Sequence, residues 1–143
     1  MHLQQVREQF RQYCGEVVFE SLVKDFHRQT SQNPFPTVQQ ERLWDDFTRR
    51  HSSVPFDPQL LHAVLDVCPL HLCELVDDTV PILYGLIIEE AEIYDARSQI
   101  FPKANEIAFG GCDIDDDNPV TQHVFYCPVC RAEQQRWEQS RKQ

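Results

Sequence analysis

Long apolar runs are the first feature that this sequence lacks. No window reaches the roughly 18 consecutive apolar residues that a membrane-spanning helix needs, so we expect no transmembrane segment. The amino terminus mixes charged residues with glutamine and has no apolar core, so we also expect no secretory signal. These absences predict a soluble, cytoplasmic protein that does not act at a membrane.

Basic residues and glycine are also scarce. The chain has 13 Lys and Arg against 23 Asp and Glu, which gives a formal net charge of −10. Nucleic-acid binding depends on clustered Lys and Arg that neutralise phosphates, so this composition argues against a nucleic-acid partner. With only four glycines and 41% hydrophobic residues among 143, we expect one folded domain rather than a disordered chain.

Two short segments carry the most specific signal, CPLH at residues 68–71 and CPVC at residues 127–130. In each segment two residues separate two soft ligands, so a tight turn can direct both side chains at one metal ion. The proline after the first cysteine suits such a turn. Two pairs supply the four ligands of a tetrahedral zinc ion. The predicted zinc ligands are Cys68, His71, Cys127 and Cys130.

The other cysteines leave one alternative open. Cys73 could replace His71, because a spacing of four residues after Cys68 also occurs in zinc sites. We favour His71 because both turns then share the form Cys-Pro-x-ligand. In a reducing compartment, metal ligands and spare thiols explain six cysteines better than three disulfides do. Cys112 is expected to be a small buried residue beside a bulge, and Cys14 to belong to a helical core.

The front half of the chain has helical periodicity. Apolar residues recur mostly every three or four positions through residues 2–30, which predicts one or two amphipathic helices with a break at Gly15. The apolar positions of this pattern are Val6, Phe10, Tyr13, Val17, Leu22 and Phe26. Two more helices are predicted near 38–50, with a cap at Thr37, and from an Asp-Pro pair at residue 57 to about 67.

The back half changes to β-rich runs. We predict a strand at 80–85, a helix at 89–100 and a polar helix from residue 131 to the end. Strands at 106–114 and 123–126 are expected to pair as an antiparallel hairpin. The predicted class is α+β, with a helical region over residues 1–66 and a zinc-knuckle or ribbon-like region over 67–143, packed as one globular unit.

An ordered set of motifs across residues 66–137 resembles a group of small uncharacterised bacterial proteins. In order, the motifs are CPxH from residue 68, VPxxYG from residue 80, FPxA from residue 101, GGC from residue 110 and YCPxCR from residue 126. The resemblance implies a metal bound at Cys68, His71, Cys127 and Cys130. It implies no activity, and it does not include the helical front half.

Catalytic zinc signatures are missing from the sequence. A nucleobase deaminase needs H-x-E followed by P-C-x-x-C, but Cys73 stands two positions after His71, and Tyr126 precedes the second pair. There is no H-E-x-x-H of a metalloprotease. Only 13 residues follow Cys130, too few to complete a thiol-redox fold. Four protein ligands close a zinc site, which favours a structural ion.

Two functions remain open at this point. The first is a zinc-stabilised interaction, accessory or adaptor protein whose acidic surface recognises an unidentified, basic protein partner. The alternative is a small zinc enzyme in which His71 or one cysteine is not a ligand and water completes the metal's shell. In that alternative the candidate bases are Glu74, Glu89, Glu90 and Asp113.

Overall fold

The structure is a computed structural model that describes residues 2–29, 36–86, 89–112 and 115–142. The predicted α+β class is confirmed, because helices fill the first half and strands lie in the second. The described elements are α1 (Leu3–Cys14), α2 (Glu16–Gln29), α3 (Val38–Arg50), α4 (Pro58–Leu65), β1 (Val76–Leu83), α5 (Ala91–Gln99), β2 (Ala108–Phe109), β3 (Thr121–Tyr126) and α6 (Pro128–Arg141).

The chain divides into two compact units, Met1–Leu72 and Cys73–Gln143. The predicted boundary after residue 66, and the packing of both parts as one globule, stay predictions. None of the described helices combines the length and the apolar character needed to cross a bilayer.

Aromatic rings form the centre of the N-terminal unit. Phe10 is fully buried, and its ring centroid lies 5.2 Å from those of both Trp44 and Phe47, at steep interplanar angles. Such edge-on contacts are favourable because the positive edge of one ring meets the negative face of another. The helical periodicity of α1 and α3 therefore places their apolar residues in one shared core.

Gly15 separates α1 from α2 and changes which residues face that core. It has φ 86° and ψ 156°, a conformation that other residues adopt only with strain. Because the helix restarts at this point, α2 buries Phe19 and Leu22, whereas Val17 is 81% exposed. The prediction that Val17 belongs to the apolar pattern that forms the core is therefore wrong.

Two predicted helix starts are confirmed by their caps. At α3, the Thr37 hydroxyl accepts from the Gln40 amide at 3.1 Å, and the Gln40 side chain accepts from the Thr37 amide at 2.8 Å. At α4, the Asp57 carboxylate accepts from the Gln59 amide at 3.0 Å, with Pro58 at the first helical position. Each cap satisfies amides that would otherwise lack an intrahelical partner.

The end of α4 is held by side chains from α1 and α2. Arg7 is 5% exposed and donates to the carbonyls of Val64 and Ala63 at 3.0 and 2.9 Å. A cation at this position satisfies carbonyls that the last turn leaves open and complements the helix dipole. His27 Nε2 lies 2.5 Å from the Val67 carbonyl oxygen. These contacts fix the backbone directly before Cys68.

The sheet of the C-terminal unit has the order β2-β1-β3. β1 pairs with β3 in antiparallel fashion from Val76↔Tyr126 to Pro81↔Thr121, and with β2 in parallel at Ile82↔Ala108. The predicted hairpin of 106–114 with 123–126 is therefore wrong, because β1 lies between the two strands. β1 spans eight residues and can bond on both sides, whereas the described part of β2 spans only two.

Phe10→Ala should destabilise the N-terminal unit. The substitution removes a ring that contacts three other aromatic side chains, so we expect a loss of about 3–5 kcal/mol in the free energy of unfolding. Urea unfolding followed by circular dichroism measures this loss. Val17→Ala is the control, expected to change stability by less than about 0.5 kcal/mol. Equal effects of the two variants would contradict this description of the core.

Candidate metal centre

The first metal-binding turn, residues 68–71, follows α4. The His71 amide donates to Cys68 Sγ at 3.4 Å, and the Leu72 amide donates to the Cys68 carbonyl at 2.8 Å. Leu72 has φ 57°, a left-handed conformation that is uncommon for leucine, and its side chain packs against the N-terminal core. The turn thus carries local strain, which persists only where the surroundings enforce it.

The second metal-binding turn, residues 127–130, joins β3 to α6. Cys127 is the N-cap of α6, and its Sγ accepts from the Cys130 amide at 3.3 Å. Pro128 fills the first helical position, where an amide would have no partner. An amide at a helix N-terminus stabilises the negative charge that a metal-bound thiolate carries. Both turns therefore share one arrangement, in which the amide of the fourth residue donates to the sulfur of the first.

A neighbouring loop holds the second turn in place. The Lys103 amide donates to Cys130 Sγ at 3.4 Å, and the Lys103 carbonyl accepts from the Cys127 amide at 2.8 Å. One residue of the loop therefore contacts both cysteines of the turn.

The structure brings the four predicted ligands together. One ligand atom each from Cys68, His71, Cys127 and Cys130 lies within 4.8 Å of all the others, and the three cysteines are buried. Cys68 Sγ and His71 Nδ1 are 3.6 Å apart. Tetrahedral zinc with Zn–S of about 2.3 Å and Zn–N of about 2.0–2.1 Å requires about the same separation. The cluster could therefore hold a metal ion, and three thiols with one imidazole suit zinc.

Cys73 lies beside this cluster without belonging to it. Its Sγ is 3.0 Å from Cys127 Sγ. Among the described residues, the group of ligand atoms that lie within 4.8 Å of one another contains His71 and not Cys73. Which of the two binds the metal stays a prediction, and the geometry favours His71.

The two cysteines predicted to be non-ligands differ in their surroundings. Cys14 is half-buried against the N-terminal core, as predicted, and burial raises the pKa of its thiol to about 12. Cys112 is exposed, so the prediction of a buried position is wrong. It directly follows Gly111, which has φ 90°, in a loop beyond the two-residue β2.

The candidate bases Glu74, Glu89 and Glu90 of the enzyme alternative are not members of the cluster. Among the residues that the structure describes, the cluster contains no carboxylate. Glu89 pairs with Arg97, with one contact at 2.6 Å, and Glu90 lies 3.2 Å from an Arg141 nitrogen. Glu74 is exposed, and Asp113 lies outside the described residues.

Comparison of the chain with family models, curated proteins and solved structures finds no match. The resemblance to the bacterial motif group therefore stays a prediction.

Arg131, next to Cys130, is a residue whose importance the sequence did not reveal. Its guanidinium donates to the carbonyls of Ala104 and Asn105 at 2.7 and 3.0 Å and to the Asp78 carboxylate at 2.7 Å. It also lies 3.5 Å from the ring centroid of Tyr126. The planar fork of arginine can make these contacts at once. The available signals were its position directly after the last predicted ligand and its place at the end of the YCPxCR motif.

Arg131 also affects the titration of Asp78. The hydrogen bond from its guanidinium lowers the pKa of the Asp78 carboxyl, and a backbone hydrogen bond from Thr79 lowers it further. Because the folded-state pKa is lowered, the stabilising contribution is present above the ordinary aspartate pKa. It is lost as the pH falls through the lowered value.

Arg131→Lys should destabilise the C-terminal unit by about 1–3 kcal/mol. A lysine cannot donate to two carbonyls and a carboxylate while also covering the Tyr126 ring, so some partly buried acceptors lose their donor. Thermal and urea unfolding of the purified protein measure the change. Arg136→Lys, at an exposed ion pair with Glu133 on the same helix, is the matched control and should change stability by less than about 0.5 kcal/mol. If both variants behave alike, Arg131 does not have this role.

Proposed function

We propose that this chain is a zinc-binding protein in which Cys68, His71, Cys127 and Cys130 hold one structural zinc ion. The observation that carries the proposal is the convergence of these four ligand atoms within 4.8 Å of one another. Four protein ligands fill a tetrahedral shell and leave no position for water or substrate. The ion then stabilises the fold and does not catalyse a reaction.

The biological role that we propose is interaction with another protein, as an accessory or adaptor. When protein ligands fill every position on the metal, the function must depend on the surfaces of the molecule. The net charge of −10 gives those surfaces an acidic character, which favours a basic protein and disfavours a nucleic acid. Complementary charge of this kind accelerates association and selects the partner.

A small zinc enzyme is the second candidate. It requires that one of the four residues is not a ligand, so that water can bind the metal and lose a proton. His71 is the one member of the cluster that is only partly buried. If His71 did not bind, the open position would lie on that side of the metal. The ligand count therefore separates the two functions.

The purified protein should contain one zinc ion per chain, and X-ray absorption at the zinc edge should show three sulfurs and one nitrogen. Cys130→Ser should lose the metal. Changing a residue that only hydrogen-bonds a metal ligand already lowers metal affinity by about 10–100-fold, so loss of a thiolate ligand should lower it more. Without zinc, amide protection should fall first at the start of α6, because Cys127 is both its cap and a proposed ligand.

Matched variants assign the fourth ligand. Cys112→Ser changes an exposed cysteine outside the cluster and should keep one zinc per chain. His71→Ala should replace the nitrogen with another atom, and Cys73→Ser should leave three sulfurs and one nitrogen. An oxygen ligand in the unmodified protein would favour the enzyme alternative. Absence of metal, with a normal melting temperature in Cys130→Ser, would rule out both functions.

A further inference from the structure

The outer edge of β3 has backbone groups that point away from the sheet. The Ile82 amide donates to the Val120 carbonyl at 2.9 Å, and these two residues directly follow Pro81↔Thr121, the last pair in the register of β1 and β3. In an antiparallel ladder bonded pairs alternate with unbonded pairs. The amides and carbonyls of Thr121, His123 and Phe125 therefore face outward from β1.

One end of this edge is already covered. The Phe125 carbonyl accepts from the Asn105 side chain at 2.6 Å, and the Cys127 amide donates to the Lys103 carbonyl at 2.8 Å. These contacts confirm that the backbone groups of the odd-numbered residues point away from β1. Within the residues that the structure describes, no further strand lies beyond β3. The open part of the edge is formed by Thr121 and His123, with the amide of Phe125.

The open part of the edge lacks three common protections against strand pairing. Among other devices, natural edge strands use lysine, proline or a bulge to prevent another chain from adding to the sheet. β3 has the sequence TQHVFY, with neither lysine nor proline, and its pairing with β1 continues without a bulge. Its backbone can therefore accept another strand, as in β-augmentation by extended peptides.

One face of the sheet beside this edge is exposed and partly apolar. We call it the open face; its residues are Asp77, Thr79, Pro81, Leu83, Phe109, Thr121, His123 and Phe125. Leu83, Phe109 and Phe125 are 42%, 48% and 51% exposed. The opposite face buries Val80 and Ala108. A strand added beside β3 would bury apolar side chains against Phe125.

The charges near the edge select the partner. Asp77 lies on the open face with its side chain 71% exposed and 2.8 Å from His123. The exposed residues Asp115, Asp116 and Asp117 precede β3. A second copy would bring the same negative charges and the net charge of −10 against them. Attraction is expected instead for a segment that carries lysine or arginine.

We propose that the outer edge of β3 binds an extended, basic segment of another protein, which adds to the sheet as a further strand. The amides and carbonyls of Thr121 and His123 pair with its backbone, and Phe125 contacts its apolar side chains. This inference rests on the interaction role proposed above and specifies the partner and the surface.

The test uses a labelled peptide of alternating lysine and valine, because lysine supplies positive charge and valine favours a strand. The control peptide has the same side chains but is N-methylated at alternate residues, so that it keeps the charge and loses backbone donors. We expect the zinc-loaded protein to bind the first peptide at least about tenfold more tightly in fluorescence anisotropy. Binding should slow hydrogen exchange at the amides of Thr121 and His123. Equal binding of both peptides, or unchanged exchange, would overturn the proposal.

Protein variants provide a second test. Phe125→Lys places a charge at the edge and should weaken binding of the peptide by about tenfold. Val17→Lys makes the same change in charge at another exposed apolar residue and should alter binding by less than about twofold. Equal effects would show attraction by charge alone and would overturn the proposal.

Metal content and oligomeric state separate the possible failures. If the protein holds one zinc per chain and binds neither peptide, the docking surface is wrong and the zinc proposal stands. If the peptide binds as described to a protein without zinc, the metal proposal fails and the docking surface stands. If sedimentation shows a dimer and Phe125→Lys converts it to a monomer, the edge binds a second copy of this chain. That result would overturn the proposed partner.

Discussion

The hydrogen bond from the Cys130 amide to the sulfur of Cys127 is the contact on which the C-terminal unit depends most. Cys127 directly follows β3, caps α6 and contributes a ligand atom to the cluster. The strand, the helix and the proposed metal site are thus connected through one residue. A side chain of a different length or charge would leave the helix start without its cap and the cluster without a sulfur. Neighbouring contacts hold this turn in place. The Lys103 amide donates to the sulfur of Cys130, and the Arg131 guanidinium donates to the carbonyl of Ala104.

The candidate metal centre contains features that are unfavourable by themselves. Leu72 has a left-handed backbone, and three cysteine sulfurs are brought close together in a buried place. Thiolates at such distances repel one another unless a cation lies among them. Amides that donate to sulfur reduce this cost, and a bound metal ion would offset it further. The arrangement is therefore consistent with a fold that has adapted to hold a metal.

Local features of the fold could be predicted because they depend on neighbouring residues. Thr37 and Asp57 cap their helices through side chains that reach only two or three residues along the chain. The two ligand pairs could be recognised because a turn of four residues fixes their geometry. Val17 and Cys112 were placed wrongly, since burial depends on what packs against a residue and not on its own spacing. The hairpin was wrong for a related reason, because neighbours in sequence need not be neighbours in a sheet.

The sequence by itself determined the helices, the two candidate metal-binding turns and the acidic charge, since each follows from spacing over a few residues or from composition. Tertiary structure alone decided the strand order, which puts β1 at the centre and leaves the edge of β3 open. It also decided that His71 and not Cys73 joins the cluster of ligand atoms. Both outcomes depend on contacts between residues about 50 positions apart, such as Asp78 and Arg131 at 2.7 Å. Their geometry is set by the packing of whole elements, which no local pattern encodes.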